Sequence, residues 1–276
     1  MIPIIIRTKY LIKYLLWTLN GYVGRQLSIN TPHKVTVLIT YYNSIRMTHI
    51  NNQIRNILKC NFVEKVVVSN HNPEIKIEER VTINDNRLFC INQNIIRGCG
   101  YRWRIAETLH AEYIISVDDD ILLFPSHLKK LCQHLVQEPE IPHGLSGICH
   151  LENGDLQYRE REDIEVHYLC EIYAVTKKHV ERYCEMERFL AEKDRSLVGL
   201  IESYHDFIVI SQTGSQNPKI HKVGTIFRSD TFMTPGVALH KEKQWESSVL
   251  EVAQAVQEVL SQEQAHSVIF GAPVTG

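Results

Sequence analysis

From residue 33 onward the chain alternates between short β-branched runs and longer stretches whose apolar residues recur every third or fourth position. Residues 35–40 form the first such run and predict a buried strand. Tyr41-Tyr42-Asn43-Ser44 closes it with a polar turn, and residues 47–58 predict a helix. Residues 63–68 predict a second strand, ended by the loop Ser69-Asn70-His71-Asn72-Pro73. Residues 81–83 and 88–91 are expected to be short strands, Arg97-Gly98-Cys99-Gly100 a turn, and residues 101–109 a helix. The run Tyr113-Ile114-Ile115-Ser116-Val117 then predicts a buried strand leading directly into three aspartates.

The second half is less regular. Helices are expected at residues 128–136 and 179–190, strands at 144–150 and 168–175, and a charged excursion at 151–166. A short apolar run follows at 207–210, and residues 244–264 read as a helix. Strands alternating with helices at this spacing predict an α/β fold with a mostly parallel central sheet flanked by helices. In such sheets ligands bind beyond the carboxyl ends of the strands. The turns after Thr40, Val68 and Val117 are therefore expected to line one crevice, with Thr40 and Asn70 in its wall.

Composition narrows the class of function. The 276 residues carry 30 Lys+Arg against 32 Asp+Glu, a formal charge of −2, which argues against nucleic-acid binding through bulk charge. Seven scattered cysteines include no CxxC pair, so neither a zinc knuckle nor a dense disulfide framework is suggested. Reduced thiols in a cytoplasmic compartment are the plain expectation. Residues 1–23 are apolar and aromatic but interrupted by Arg7, Lys9 and Lys13. Their uncharged run, residues 14–24, is shorter than the ~20 residues a spanning helix needs. Two readings stay open for this arm (residues 1–33): a basic, aromatic helix lying peripherally on a membrane, or a helix packed on the domain.

Asp118, Asp119 and Asp120 are the sharpest chemical signal. Three adjacent carboxylates repel one another at the end of an apolar strand unless a cation compensates them. A hard divalent ion, Mn²⁺ or Mg²⁺, suits oxygen ligands and keeps positions open for phosphate. Alternation along an extended chain would put Asp118 and Asp120 on one side and Asp119 on the other. A solvated acidic turn is the bland alternative, but apolar runs on both sides favour a site.

An apolar strand ending in Asp-Asp-Asp resembles the DxD motif of GT-A fold glycosyltransferases. The nearer likeness is to the exostosin-type family, which carries Asn-Arg-Phe upstream of a Ser-(apolar)-Asp-Asp-Asp strand. Here Tyr101-Arg102-Trp103 precedes Ser116-Val117-Asp118-Asp119-Asp120, with the arginine retained and both flanking residues replaced. Downstream, His205-Asp206 with the apolar run 207–210, and then Pro218-Lys219-Ile220-His221-Lys222-Val223, resemble that family's acidic pair, apolar run and Pro-Ile-Lys-Val tail. The likeness runs in order over residues 34–242. Residues 35–44 and 94–106 are also similar to the first strand and glycine-rich segment of family-2 type enzymes. Those enzymes place a uracil-reading aspartate after the second strand, where this chain has Ser69-Asn70-His71-Asn72.

The resemblance implies a GT-A domain over residues 34–245, followed by a C-terminal helix and tail over 246–276. It implies a metal-dependent hexosyl- or N-acetylhexosaminyltransferase that uses a UDP- or GDP-sugar donor and a glycan or lipid-linked acceptor. Asp118 and Asp120 would hold Mn²⁺ or Mg²⁺, joined by the late His240. Asp119, Thr40, Asn70 and Arg102 would contact the nucleotide or donor. Asp206 would be the catalytic carboxylate facing the acceptor hydroxyl, with an N-cap as the structural alternative. Glu171 is a lesser acceptor-side candidate. Two other functions stay open: a haloacid-dehalogenase-type phosphatase, with Asp118 as nucleophile, and a sugar-nucleotide or glycan-binding module without chemistry.

Overall fold

The computed structural model describes residues 4–29, 33–151, 155–224, 226–229, 231 and 245–270, with backbone only for 4–10, 246–247 and 263–270. His240 and residues 232–239 before it lie outside the described residues. The helices are α1 (Ile4–Val23), α2 (Ile50–Leu58), α3 (Tyr101–Thr108), α4 (Pro125–Gln137), α5 (Lys177–Lys193), α6 (Arg195–Leu200), α7 (Asp206–Ser211) and α8 (Trp245–Phe270). The first strands are β1 (Val35–Tyr41), β2 (Val63–Asn70), β3 (Leu88–Asn92), β4 (Tyr113–Asp118), β5 (Ile121–Leu122), β6 (His143–Gly144) and β7 (Ser146–His150). The rest are β8 (Leu156–Glu160), β9 (Ile164–Glu165), β10 (Tyr168–Cys170), β11 (Ile172–Thr176), β12 (Lys219–Ile220) and β13 (Phe227–Arg228).

The central sheet runs β3-β2-β1-β4-β11-β6-β12-β9. Its first four strands are parallel, and β11 joins β4 antiparallel. All seven residues of β1 are buried, as a parallel strand covered on both faces requires. Side-chain alternation divides the core. Val35, Val37, Ile39 and Tyr41 of β1, with Tyr113, Ile115 and Val117 of β4, pack with Ile50, Ile54 and Ile57 of α2 and Leu128, Leu131 and Leu135 of α4. Leu38 and Ile114 face the other way, into a cluster built from α3, α5, α7 and α8. Continuing that alternation, Ser116 and Asp118 lie on the α3 side.

Several expectations change. Residues 81–83 form no strand. The expected strand at 168–175 is two strands in two sheets: β10 pairs with β7, and β11 pairs with β4. The break is Glu171, whose φ of 66° places a non-glycine residue in the left-handed region. The charged excursion contains β8 and β9, and β8 completes a three-stranded sheet with β7 and β10. The apolar run 207–210 is helical because it continues a π-helical turn, Ile201–His205, into α7.

The first and last helices both join the core. In α1, Trp17 is fully buried and its Nε1 donates to the Leu123 carbonyl at 2.8 Å, while Asn56 of α2 donates to the Trp17 carbonyl at 3.1 Å. In α8, Val249, Val252, Ala253, Val256 and Val259 recur at helical spacing and pack into the α3–α5–α7 cluster. None of the seven cysteines forms a disulfide.

Candidate active site

The acidic turn stands where the central strand ends. Thr40 of β1 is in register with Asp118 on one side and with Ser69 of β2 on the other. Strand β4 stops at Asp118, and Asp119 and Asp120 form a turn. That stop overturns the expected alternation, because side chains point alternately only while the backbone is extended. Instead Asp119 and Asp120 grip one cation together: Arg46 Nη1 is 2.6 Å from Asp119 Oδ1, and Nη2 is 2.9 Å from Asp120 Oδ2. Arg46 Nε also donates to Thr231 Oγ1 at 3.2 Å. Asp118 goes separately to Arg102, whose Nη1 lies 2.5 Å from its Oδ1.

Buried polar groups brace this turn from beneath. Gln53 of α2 donates Nε2 to the carbonyls of Asp118 (3.2 Å) and Ile121 (3.0 Å), while its Oε1 accepts from Tyr41 OH. The Asp118 amide donates to the Glu171 carbonyl at 2.9 Å, and the Ser229 amide donates to the Asp120 carbonyl at 2.7 Å. The Glu171 carboxylate accepts from Arg228 Nε (2.6 Å) and Nη2 (2.7 Å), from Ser146 Oγ (2.8 Å) and from Tyr158 OH (3.0 Å). Pairing of β13 with β5 sets Arg228 opposite Ile121, which carries a third guanidinium to the neighbourhood of the acidic turn.

The charges are crowded. Desolvation at the strand end pushes the Asp118 carboxyl up to about 6 although Arg102 opposes it. Burial raises Asp119, and raises Asp120 well above the carboxylate range; for Asp120, Asp119, Asp118 and Glu171 add to the rise against the pull of Arg46. A site that resists holding all its carboxylates ionised gains from any further cation. Hard oxygen donors of this kind fit Mg²⁺ or Mn²⁺. Among the described residues, no three His, Cys, Asp or Glu side chains form a metal cage by themselves.

Asp206 lies one layer deeper. It is 2% exposed, and its carboxylate has three internal partners. Trp103 Nε1 donates to Oδ2 at 2.8 Å, Arg102 Nε lies 3.3 Å from Oδ2, and the Cys99 thiol lies 3.2 Å from Oδ1. Burial and the Asp206 charge raise the Cys99 thiol well above its ordinary range, so it stays protonated and donates. Asp206 makes no helix-capping bond. Nor does it face open space as a base for an acceptor hydroxyl would. The approach depends on Gly100, because a Cβ there would lie 2.9 Å from the Asp206 Cβ, the Glu202 Cα and the Ile201 carbonyl oxygen. With only hydrogen at that position, the Gly100 amide donates to the Glu202 carbonyl at 2.8 Å and the π-helical turn presses onto the start of α3.

Asn70 is turned inward. Its Nδ2, with two hydrogens, lies among three acceptors, the carbonyls of Asn72 (2.9 Å) and Ile75 (2.5 Å) and Asn92 Oδ1 (3.0 Å), and its Oδ1 accepts from the Asn72 amide. That bracketing shapes the loop after β2 and leaves the amide no free donor. Thr40, Arg102 and Asp118–Asp120 are thus brought together, while Asn70 and Asp206 stand behind the surface. Sequence reading passed over Arg46, Gln53 and Arg228. Arg46 carried one signal: it is a cation in the turn after β1, at the carboxyl end where a parallel sheet receives ligands.

No known protein family matches the chain, and no curated protein matches it in sequence. Its architecture is nevertheless shared with many solved structures, 335 chains matching in fold. This is the GT-A fold, the nucleotide-diphospho-sugar transferase fold. A crystal structure of GalNAc-T7 with UDP, GalNAc and Mn²⁺ superposes with a TM-score of 0.55 at 8% identity, covering 82% of this chain and 48% of that one. The chain therefore spans about half the length of this neighbour. A 4-diphosphocytidyl-2C-methyl-D-erythritol synthase from Anaerococcus prevotii is similar over a shorter stretch, with a TM-score of 0.39 at 9% identity, covering 55% of this chain and 76% of that one.

Proposed function

We propose that this protein is a metal-dependent glycosyltransferase of the exostosin-like kind. It would move a hexosyl or N-acetylhexosaminyl group from a UDP- or GDP-sugar to a hydroxyl of a glycan or lipid-linked acceptor. The observation that carries the reading is the Asp118–Asp120 turn at the carboxyl end of the central parallel strand, inside a GT-A fold. Asp118 and Asp120 are the residues that would hold Mn²⁺ or Mg²⁺, and His240 remains a third candidate. When bound, the ion supplies Lewis-acid stabilisation of the charge left on the nucleoside diphosphate.

The chain's own groups then have separable tasks. Arg102 orients the Asp118 carboxylate, and Asp206 acts through Arg102 as a positioning residue. Arg46 keeps Asp119 and Asp120 in one place and offers its guanidinium to the diphosphate side, where bidentate contacts to phosphate are favourable. Thr40, beside Asp118, lines the donor crevice. Glu171, held by Arg228, fixes the turn through its carbonyl and keeps its carboxylate on the proposed acceptor side.

Incubation with labelled UDP- and GDP-sugars, with and without Mn²⁺, tests the proposal. Metal-dependent hydrolysis or transfer supports it. Turnover of p-nitrophenyl phosphate without sugar-nucleotide cleavage would replace it with the phosphatase reading. Nucleotide binding with no turnover would leave a binding module.

A further inference from the structure

Helix α1 has one face on the protein and another face covered by nothing described. Tyr14, Trp17, Thr18 and Gly21 face α2: Asn52 Nδ2 donates to Tyr14 OH (3.2 Å) and Thr18 Oγ1 (3.1 Å), Trp17 is buried, and Gly21 lies against Asn56 and Arg55. On the opposite side Leu11, Ile12, Leu15, Leu16, Leu19, Tyr22 and Val23 are each 48–80% exposed. At about 100° per residue these seven fall within an arc of roughly 140°. The arc is unbroken by charge, and large contiguous apolar patches on a protein surface mark interaction sites.

Charge identifies the partner. The first 63 residues hold eight Lys or Arg and no Asp or Glu, whereas the remainder holds 22 against 32. The near-neutral whole is therefore a cationic N-terminal part joined to an acidic body. Cations border the apolar arc in space as well as in sequence. Lys13 lies over the Phe227 ring, the Arg55 guanidinium stacks 4.4 Å from the Tyr22 ring, Lys59 donates to the Tyr22 carbonyl at 3.1 Å, and Arg25 is exposed just past the helix end. Among the described residues no helix is long and apolar enough to cross a membrane.

We propose that α1 docks this protein peripherally on an anionic lipid surface. Its leucine-rich arc enters the headgroup boundary, and Lys13, Arg25, Arg55 and Lys59 face the lipid phosphates. Trp17 and Tyr14 stay on the protein and fix how the body hangs from that surface. A second copy of the chain is the competing occupant. It is disfavoured because a two-helix seam needs only a narrow stripe, and because two such cationic faces would repel.

Flotation of the full chain with vesicles of phosphatidylcholine alone, or with added phosphatidylserine, tests this. The wild type should float with the anionic vesicles and be released as salt rises. Leu15→Glu/Leu16→Glu should weaken that binding at least tenfold with an unchanged melting temperature, because both side chains already face solvent. Arg25→Glu should weaken it several-fold. Absence of binding to anionic vesicles at low salt, equal binding to both vesicle types, or binding that ignores the glutamates would each overturn the proposal. So would self-association that the leucine variant abolishes in a protein that does not float.

Discussion

The indole Nε1 of Trp103 donates to Oδ2 of Asp206 across 2.8 Å, although 103 residues separate the two along the chain. This contact, together with Cys99 and Arg102, buries the Asp206 carboxylate as the counter-charge of an arginine. The guanidinium so held is the one that meets Asp118 at the site.

Asp206→Asn therefore separates two roles. Asparagine keeps the size and an acceptor for Trp103 but removes the charge that compensates Arg102. Stability should fall by ~1–3 kcal/mol, the usual penalty for an under-compensated buried hydrogen-bonded charge. Mn²⁺-dependent nucleotide affinity should fall with it, since Asp118 loses its rigid partner. An unchanged urea midpoint with transfer down by ~10²–10⁴ would restore Asp206 as a direct acid–base group.

Asp120→Ala removes one proposed metal ligand. Calorimetry should show that nucleoside-diphosphate affinity no longer depends on Mn²⁺, with the fold retained. In the wild type, the same dependence should weaken below about pH 6, where Asp118 takes up a proton. Equal Mn²⁺ enhancement in mutant and wild type would sink the metal assignment.

Arg46→Ala leaves Asp119 and Asp120 without their shared cation. The melting temperature should drop, by the equivalent of ~2–4 kcal/mol, because the partners are buried. Millimolar Mn²⁺ should recover more stability in this variant than in the wild type, since the ion then replaces a missing charge. An identical Mn²⁺ shift in both proteins would show that Arg46 is not the counter-cation of the turn.

Acid should destabilise the protein through a histidine cluster built on α4, β6 and the residue after β12. His143 Nδ1 and His221 Nε2 are 3.0 Å apart, and the His134 ring stacks on His221 at 3.5 Å. Burial holds His143 down to about 4 and His221 to about 3, from an ordinary 6.5. The unfolded chain thus binds more protons between pH 6.5 and 4. The stabilising contribution is whole above pH 6.5 and is lost as pH falls through that window, on the order of 3 kcal/mol for one such group. Urea midpoints at pH 7 and pH 5 should differ less in His143→Gln than in the wild type. Parallel pH profiles would remove the cluster from the acid response.

Much of the frame was legible in the sequence. β1, β2, β4, α2, α3 and α5 follow from β-branched runs, polar turns and apolar spacing, all of which act within a few residues. The acidic turn at the end of β4 was legible for the same reason. What surrounds that turn was not. Arg46 meets Asp119 across 73 residues, Arg228 meets Glu171 across 57, and Asp206 reaches Arg102 only because Gly100 lets the π-helical turn close on α3. Glu171 breaks one apolar run into strands of two sheets, and the run at 207–210 becomes helix because a helical turn precedes it. Local sequence determined where the backbone extends, coils and turns in this half of the sheet. Tertiary closure decided which cation faces each carboxylate, because ion pairing depends on distance in space and on burial, and neither is set by neighbours along the chain.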